Sequence, residues 1–410
     1  MTKNLLKFPI TLLVFFSILL PSGSIYGVNV KLAISVIALL VMACYLPKEG
    51  VEKKFLYALM GLISFLLFYT LIALNNGIPG QDIISHGTAI SSLFLLIYLP
   101  TFAISKKIAS KDEIIKIIFI SLFVFSLFKL SISTAIWLGH EPTQVRLLLE
   151  SIFGVSFIGL DTGSFYRVHW PADYLLPPAL YFILQNKQPH YPFGKLQKNI
   201  FLAVFILAII IAYSRLLYVY SLTAIALAFI LANKDNNKKI LIIALLVPTV
   251  LIYLLYSNSN MIADFISLRY SGEFAKSSDA TRDAMLNALL QSFYDNFLLG
   301  RGLGAGTIGY INIEAVPWYF ELQWLSIAMQ FGIMGFIPIL ALALVPAVIS
   351  LNINRSKYNL GLIIIYFFWL MVGIFNGFML TSAGGVIFLL FITSLPTKKP
   401  KLRNQYRDIN

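Results

Sequence analysis

The stretch Tyr256–Gly335 reads YSNSNMIADFISLRYSGEFAKSSDATRDAMLNALLQSFYDNFLLGRGLGAGTIGYINIEAVPWYFELQWLSIAMQFGIMG, and its reading decides the fold. It is the longest region that hydrocarbon cannot accommodate, rich in arginine, aspartate, glycine and aromatic residues. On both sides, apolar runs of about 20 residues, the length that crosses a bilayer core, follow one another with short polar breaks. The fold class is therefore all-α, a polytopic membrane protein in which this polar insert is the place for chemistry and the flanking helices are its scaffold. Composition agrees: 59% of the 410 residues are hydrophobic and 12% charged, against about 25% charged in soluble domains.

Working outward, twelve spans are expected, near residues 5–20, 28–46, 54–74, 83–104, 114–138, 173–186, 199–214, 215–232, 239–256, 332–351, 358–377 and 379–396. The sixth is short and broken by Pro177 and Pro178, and the seventh and eighth leave almost no loop between them. The chain divides into helices one to five (1–138), a first long outer loop (139–172), helices six to nine (173–256), a large outer loop with amphipathic helices (257–331), helices ten to twelve (332–397) and a basic tail (398–410). The opening MTKNLLKFPITLLVFFSILLPSGS has the basic start and apolar core of a signal peptide. It lacks a small-x-small cleavage site and more spans follow, so an uncleaved first helix is expected.

Charge fixes the orientation. With both termini cytoplasmic, the inner loops and tail collect 22 of the 31 basic residues, as the positive-inside rule requires. Nineteen of the 22 lysines fall on that side, whereas six of the nine arginines, Arg146, Arg167, Arg215, Arg269, Arg282 and Arg301, fall on the other. Lysine marks orientation here, and arginine marks something else. A guanidinium is a planar donor fork that stays charged and grips phosphate bidentately, so an outer-face arginine set is an anion site, with a phosphorylated lipid as the natural ligand. The net charge of +13 does not indicate nucleic acid, because the basic residues are spread over many loops and form no patch or stripe. Cys44 stands alone, so no intramolecular disulfide forms. The four histidines, His86, His140, His169 and His190, share no metal-ligand spacing, and neither metal nor cofactor is expected.

Each candidate has a plain alternative. Arg282 follows the N-cap residues Ser278 and Asp279 and starts the stripe Met285, Leu286, Leu289, Leu290, Phe293; there it faces a membrane or cavity near an anion-attracting helix N-terminus, or pairs with Asp279 or Asp283 on a solvated face. Arg215 stands between two apolar helices, either facing the interior or snorkelling to head groups. Arg167 precedes the Pro-broken helix with His169, Trp170 and Asp173 beside it, as a substrate contact or as an interfacial anchor. The run Gly300–Gly309, GRGLGAGTIG, lacks the Lys-Ser/Thr of a P-loop and the preceding strand of a dinucleotide fingerprint. Gly302 and Gly304 then give a tight backbone beside substrate with Arg301 projecting, or a flexible linker. Trp318, Tyr319 and Trp324 line a substrate path or form an aromatic belt. Glu321 is a lone carboxylate in an apolar run, a base if desolvated, or else the partner of an arginine.

These motifs resemble the bacterial O-antigen ligase and polymerase superfamily. The matching residues are Tyr166-Arg167 with Pro171-Ala172-Asp173, Ser214-Arg215-Leu216-Leu217, Thr281-Arg282, Leu299 to Gly304, and Leu325 to Gly335. The likeness covers the second half by motif and the first half by topology. It implies a GT-C-like architecture and metal-independent glycosyl transfer on the periplasmic face of the inner membrane, with undecaprenyl-diphosphate-linked oligosaccharide as donor and acceptor and a chain-length regulator as membrane partner. Arg215 and Arg282 would hold the leaving diphosphate, supported by Arg167, Arg301 and Arg269. Glu321 would act on the acceptor hydroxyl, with Trp318, Tyr319, Trp324, His169 and Asp173 around the glycan. Glu321 stands where the ligases carry a histidine, which fits a polymerase better. A ligase acting on lipid A core and, from another class, a flippase of lipid-linked sugar are the alternatives; a flippase calls for cations along a central cavity, and only Lys129 lies deep in a span.

Overall fold

The computed structural model describes residues 2–20, 24–26, 28–49, 53–153, 158–161, 166–185, 193–231, 273–311, 316–353, 357–377 and 379–394. Helices dominate, since apolar segments in lipid must satisfy every backbone polar group internally. The first block holds α1 (Thr2–Leu19), α2 (Val30–Glu49), α3 (Lys53–Asn75), α4 (Gly80–Ser105) and α5 (Lys111–Trp137). The first long loop contributes α6 (Pro142–Phe153) and an antiparallel hairpin of β3 (Ile158–Asp161) and β4 (Tyr166–Val168), following a smaller hairpin of β1 (Ser24–Ile25) and β2 (Val28–Asn29). Then come α7 (Leu176–Leu184), α8 (Lys195–Ile210), α9 (Arg215–Leu231), α10 (Glu273–Asp295), α11 (Gln323–Ile353), α12 (Lys357–Phe375) and α13 (Ser382–Ser394).

Helices α3, α4, α5, α11 and α12 are long and apolar enough to cross a membrane, and α1, α2, α9 and α13 are shorter apolar helices. The expected span at 239–256 lies outside the described residues. The sixth span is a 3-10 turn, Pro171–Leu175, running into α7, with every residue of α7 buried. Pro177 and Pro178 sit in the first turn of α7, where a missing N–H costs nothing. Turn and helix together rise roughly 24 Å, short of a full hydrocarbon thickness, so this segment is packed inside the bundle and does not face lipid.

The chain alternates direction, so one end of the bundle gathers the ends of α3, α5 and α8, the starts of α4, α7, α9, α11 and α13, and the polar insert. There Lys31 at the start of α2 donates to Leu20 O (3.0 Å) and Ser382 Oγ (2.8 Å) at the start of α13. The opposite end carries the Lys7 to Glu113 ion pair, 2.6 Å. Close helix approach uses small residues, as expected where lipid removes the hydrophobic drive between helices: a Cβ on Gly385 of α13 would lie 2.8 Å from Leu93 and 2.9 Å from Leu96 of α4.

Among the described residues, the bundle interior holds a fully buried lysine–aspartate pair. Lys129 of α5 donates to Asp173 Oδ1 (2.7 Å) and to Ala208 O (2.8 Å), with both charged side chains 0% exposed. The pair ties α5, the 3-10 turn and the end of α8 into one unit. Breaking a buried pair by removing one partner costs about 3–5 kcal/mol, because the remaining charge is stranded. Lys129→Met is expected to lower stability by that order in detergent unfolding followed by tryptophan fluorescence. Adding Asp173→Asn, which removes the stranded charge, should recover part of the loss.

Candidate active site

The apolar stripe of α10 decides where Arg282 goes. Met285 and Leu289 are buried with Phe320 and Met329, and Phe293, Tyr310, Leu322 and Leu325 pack around them. The stripe therefore docks α10 onto the start of α11 and the segment before it. Arg282, one turn ahead of Met285, is brought to Glu321, 39 residues away in sequence: Nε donates to Oε2 at 3.3 Å, with the two side chains 40% and 42% exposed. This pairing is the alternative that the sequence left open for Glu321.

One expectation for Arg282 is corrected. Met285 and Leu289 of its stripe face protein, but α10 begins at Glu273, so Ser278 and Asp279 lie inside the helix and do not cap it. Glu273, Ala275 and Lys276 are adequate helix formers and carry the helix back past the polar pair. Arg282 then stands nine residues from the helix start, beyond the first turn over which the helix dipole acts. Any anion here is held by side chains.

Arg167 reaches the same place from the first long loop. On β4 it pairs across the hairpin with Gly159. Val168 N donates to Ile211 O (3.4 Å) and Arg167 Nε to Ala212 O (3.3 Å), seating the strand on the turn between α8 and α9. That turn has Tyr213 at φ 43° and carries buried Ser214, beside the Tyr174 phenol. Burial pulls the Arg167 guanidinium down from its ordinary value, while Tyr174, Asp173, Glu321 and Tyr218 hold it up. Arg167 thus stands within electrostatic reach of Glu321. Burial pushes the Tyr319 phenol up, with Glu321 and Tyr174 adding to it, and Tyr310 rises for the same two reasons, burial and Glu321. Arg215 is exposed at the head of α9, next to Ser214.

Beneath Arg167, Asp173 Oδ2 accepts from Trp170 N (2.8 Å) and His169 Nδ1 (2.9 Å). Burial lowers His169 to about 4, against the support of Asp173, so the imidazole is neutral at pH 7. Its ordinary value is 6.5; as pH falls from about 6.5 to about 4 the unfolded chain takes up a proton that the folded chain refuses. This contribution to stability is constant above that window and is lost through it. A melting-temperature series across pH 4–7 should show the loss, and His169→Gln should remove it.

The glycine run takes a different part from the one its composition suggested. Gly302 (φ +93°) and Gly304 (φ +76°) admit no side chain, because a Cβ would lie 2.4 Å from Ala73 N and 2.5 Å from the Asp82 carbonyl carbon. Gly302 N donates to Gln330 O (2.8 Å) and Gly304 N to His86 Nδ1 (2.9 Å). Both amides and both open faces are taken by protein, so the close approach that these glycines permit is to α3 and α4, and not to a substrate. Gly332 completes the clasp: at φ 57°, ψ −174° it breaks α11, and its Cβ would lie 2.3 Å from Leu298 O. Arg301 folds onto the same run, donating from Nη1 to Gly306 O (2.6 Å). Trp318 stacks on His86 (centroids 4.4 Å, 7° apart) and Trp324 Nε1 donates to Leu370 O of α12 (2.8 Å). Arg301, Gly302, Gly304, Trp318 and Trp324 are thus held in packing and anchoring contacts. Arg269 lies outside the described residues.

The structure thus brings together Arg167, Arg282, Glu321, Tyr319, Asp173 and His169 out of the residues singled out in the sequence. Tyr174, Tyr218 and Tyr310 were not anticipated, although Tyr174 stood beside Asp173; Ser214 belonged to the motif Ser214-Arg215-Leu216-Leu217 but had been given no role. A family model described as O-antigen ligase, Wzy_C, matches residues 200–340, a range that includes Ser214, Arg282 and Glu321. An O-antigen polymerase of Shigella flexneri is 24% identical over 352 residues, 84% of this chain and 81% of that protein. Both matches support the O-antigen ligase and polymerase superfamily. The arginine, carboxylate and tyrosine cluster joins residues from the matched range with Arg167 and Tyr174, which precede it.

Proposed function

We propose that this protein is an O-antigen polymerase. It joins undecaprenyl-diphosphate-linked repeat units at the periplasmic face of the bacterial inner membrane, with both termini in the cytoplasm. The observation that carries this reading is the Arg282–Glu321 pair with Arg167 in electrostatic reach. It is a place with two fixed positive charges and one carboxylate, able to receive an anion and a hydroxyl together.

In the proposed reaction an acceptor sugar hydroxyl attacks the anomeric carbon of the donor, the bond from that carbon to the diphosphate oxygen breaks, and undecaprenyl diphosphate leaves with the electron pair. The hydroxyl proton passes to Glu321 or to water. A diphosphate is already a good leaving group, so positioning and electrostatic stabilisation supply most of the rate. Arg282 and Arg167 hold the diphosphate, with Arg215 at the rim. Glu321 Oε2 is fixed by Arg282, and Oε1 carries no other hydrogen bond among the described residues, which suits it to orient the acceptor hydroxyl. Tyr319 backs the carboxylate.

The family description favours a second reading, transfer of finished glycan to lipid A core. The lipopolysaccharide of a strain lacking this protein separates the two. A core bearing a single repeat unit is expected for a polymerase, and bare core would assign the ligase activity.

A further inference from the structure

An open groove of about 690 Å³ runs between the end of α3 and the turn that follows α10. Phe68 and Leu71 form one wall, Phe297 and Leu298 the other, and Asn75 and Asn296 stand at its rim. Leu71 is 67% and Leu298 61% exposed, and only 11% of the apolar window of α3 is covered by protein, so the groove opens into the outer-leaflet hydrocarbon. It is distinct from the arginine site: Asp295 ends α10 thirteen residues past Arg282, roughly 20 Å along the helix. It is also preformed, because Gly300 on its floor is clasped against Gln330 and Gly332 of α11.

We propose that this groove seats the polyprenyl chain of the acceptor, the second lipid-linked saccharide, an inference that rests on the polymerase reading above. Two diphosphates repel, which disfavours seating a second carrier lipid at the arginine site beside the first. The groove has the chemistry for the chain and not for the diphosphate. Its walls are apolar, its rim carries neutral carboxamides, and no cationic side chain is among its lining residues. A lipid lying there keeps its saccharide at the membrane boundary, on the flank of the helix that bears Arg282.

The test is photo-crosslinking with the full-length protein in phosphatidylethanolamine and phosphatidylglycerol vesicles holding radiolabelled undecaprenyl-diphosphate-linked repeat units. Benzoylphenylalanine replaces Leu298 and, as a control on another lipid-exposed surface, Leu222 of α9. Several-fold greater capture of the labelled lipid at 298 than at 222 is expected, and Leu71→Trp in the 298 background should reduce it. Equal capture at both positions, or capture of phospholipid alone at 298, overturns the assignment. Chain elongation is scored in the same vesicles. Selective capture without elongation leaves the groove and removes the polymerase reading, whereas elongation with equal capture does the reverse.

Discussion

Arg282→Glu is expected to abolish long-chain polysaccharide while single repeat units accumulate on lipid. The substitution removes the guanidinium proposed to hold the diphosphate and sets two carboxylates side by side where Glu321 had an arginine 3.3 Å away. Loss of one donor aimed at developing charge costs about 10²–10³ in rate, and repulsion between the two carboxylates adds to it. Arg282→Lys keeps the charge but not the planar fork, so partial activity is expected. The readout is chain length on gels, alongside the amount of protein in the membrane, since α10 is anchored by Met285 and Leu289 and should stay docked. Unchanged chain length would remove Arg282 from the mechanism.

The second large effect is expected at Glu321, where magnitudes decide between two roles. An ion pair whose members are 40% and 42% exposed contributes about 0–1 kcal/mol, so a purely structural Glu321 would tolerate Gln with little change in turnover. A group that orients or deprotonates the acceptor hydroxyl contributes about 10²–10⁴ in rate. Glu321→Gln is near-isosteric and still accepts from Arg282, and it is expected to reduce turnover by about 10² or more with little change in binding of the lipid-linked donor. The Arg282→Ala, Glu321→Ala double variant should be no worse than the poorer single, as for residues that act as a unit. Full activity in Glu321→Gln would retire the assignment.

The helices were legible in the sequence because a spanning segment announces itself by length and hydropathy alone. Arg167 and Arg282, which the fold brings toward Glu321, stood out in the sequence because they depart from the lysine pattern. What the sequence could not supply was the partner of each group. The spacing of GRGLGAG says that a close approach occurs but not to what, and the space beside Gly302 and Gly304 is filled by Ala73 and Asp82, more than two hundred residues earlier. The start of α10 was misplaced because Ser278 and Asp279 are good caps by type, yet a helix already running from Glu273 absorbs them. Arg301 and Arg282 look alike in the sequence; only the fold turns one onto a backbone carbonyl and the other onto Glu321. Lys129 was visible as an intramembrane charge, but its bond to Asp173, 44 residues on, depends on the short helix α7 packing inside the bundle.

The most direct measurement is elongation by the purified protein alone, reconstituted in vesicles with undecaprenyl-diphosphate-linked repeat units and no other protein. A ladder of lipid-linked products growing by whole repeats, present in the wild type and absent in Arg282→Glu, is the predicted result. Single repeats left unextended, or transfer that proceeds only once lipid A core is supplied, would contradict it.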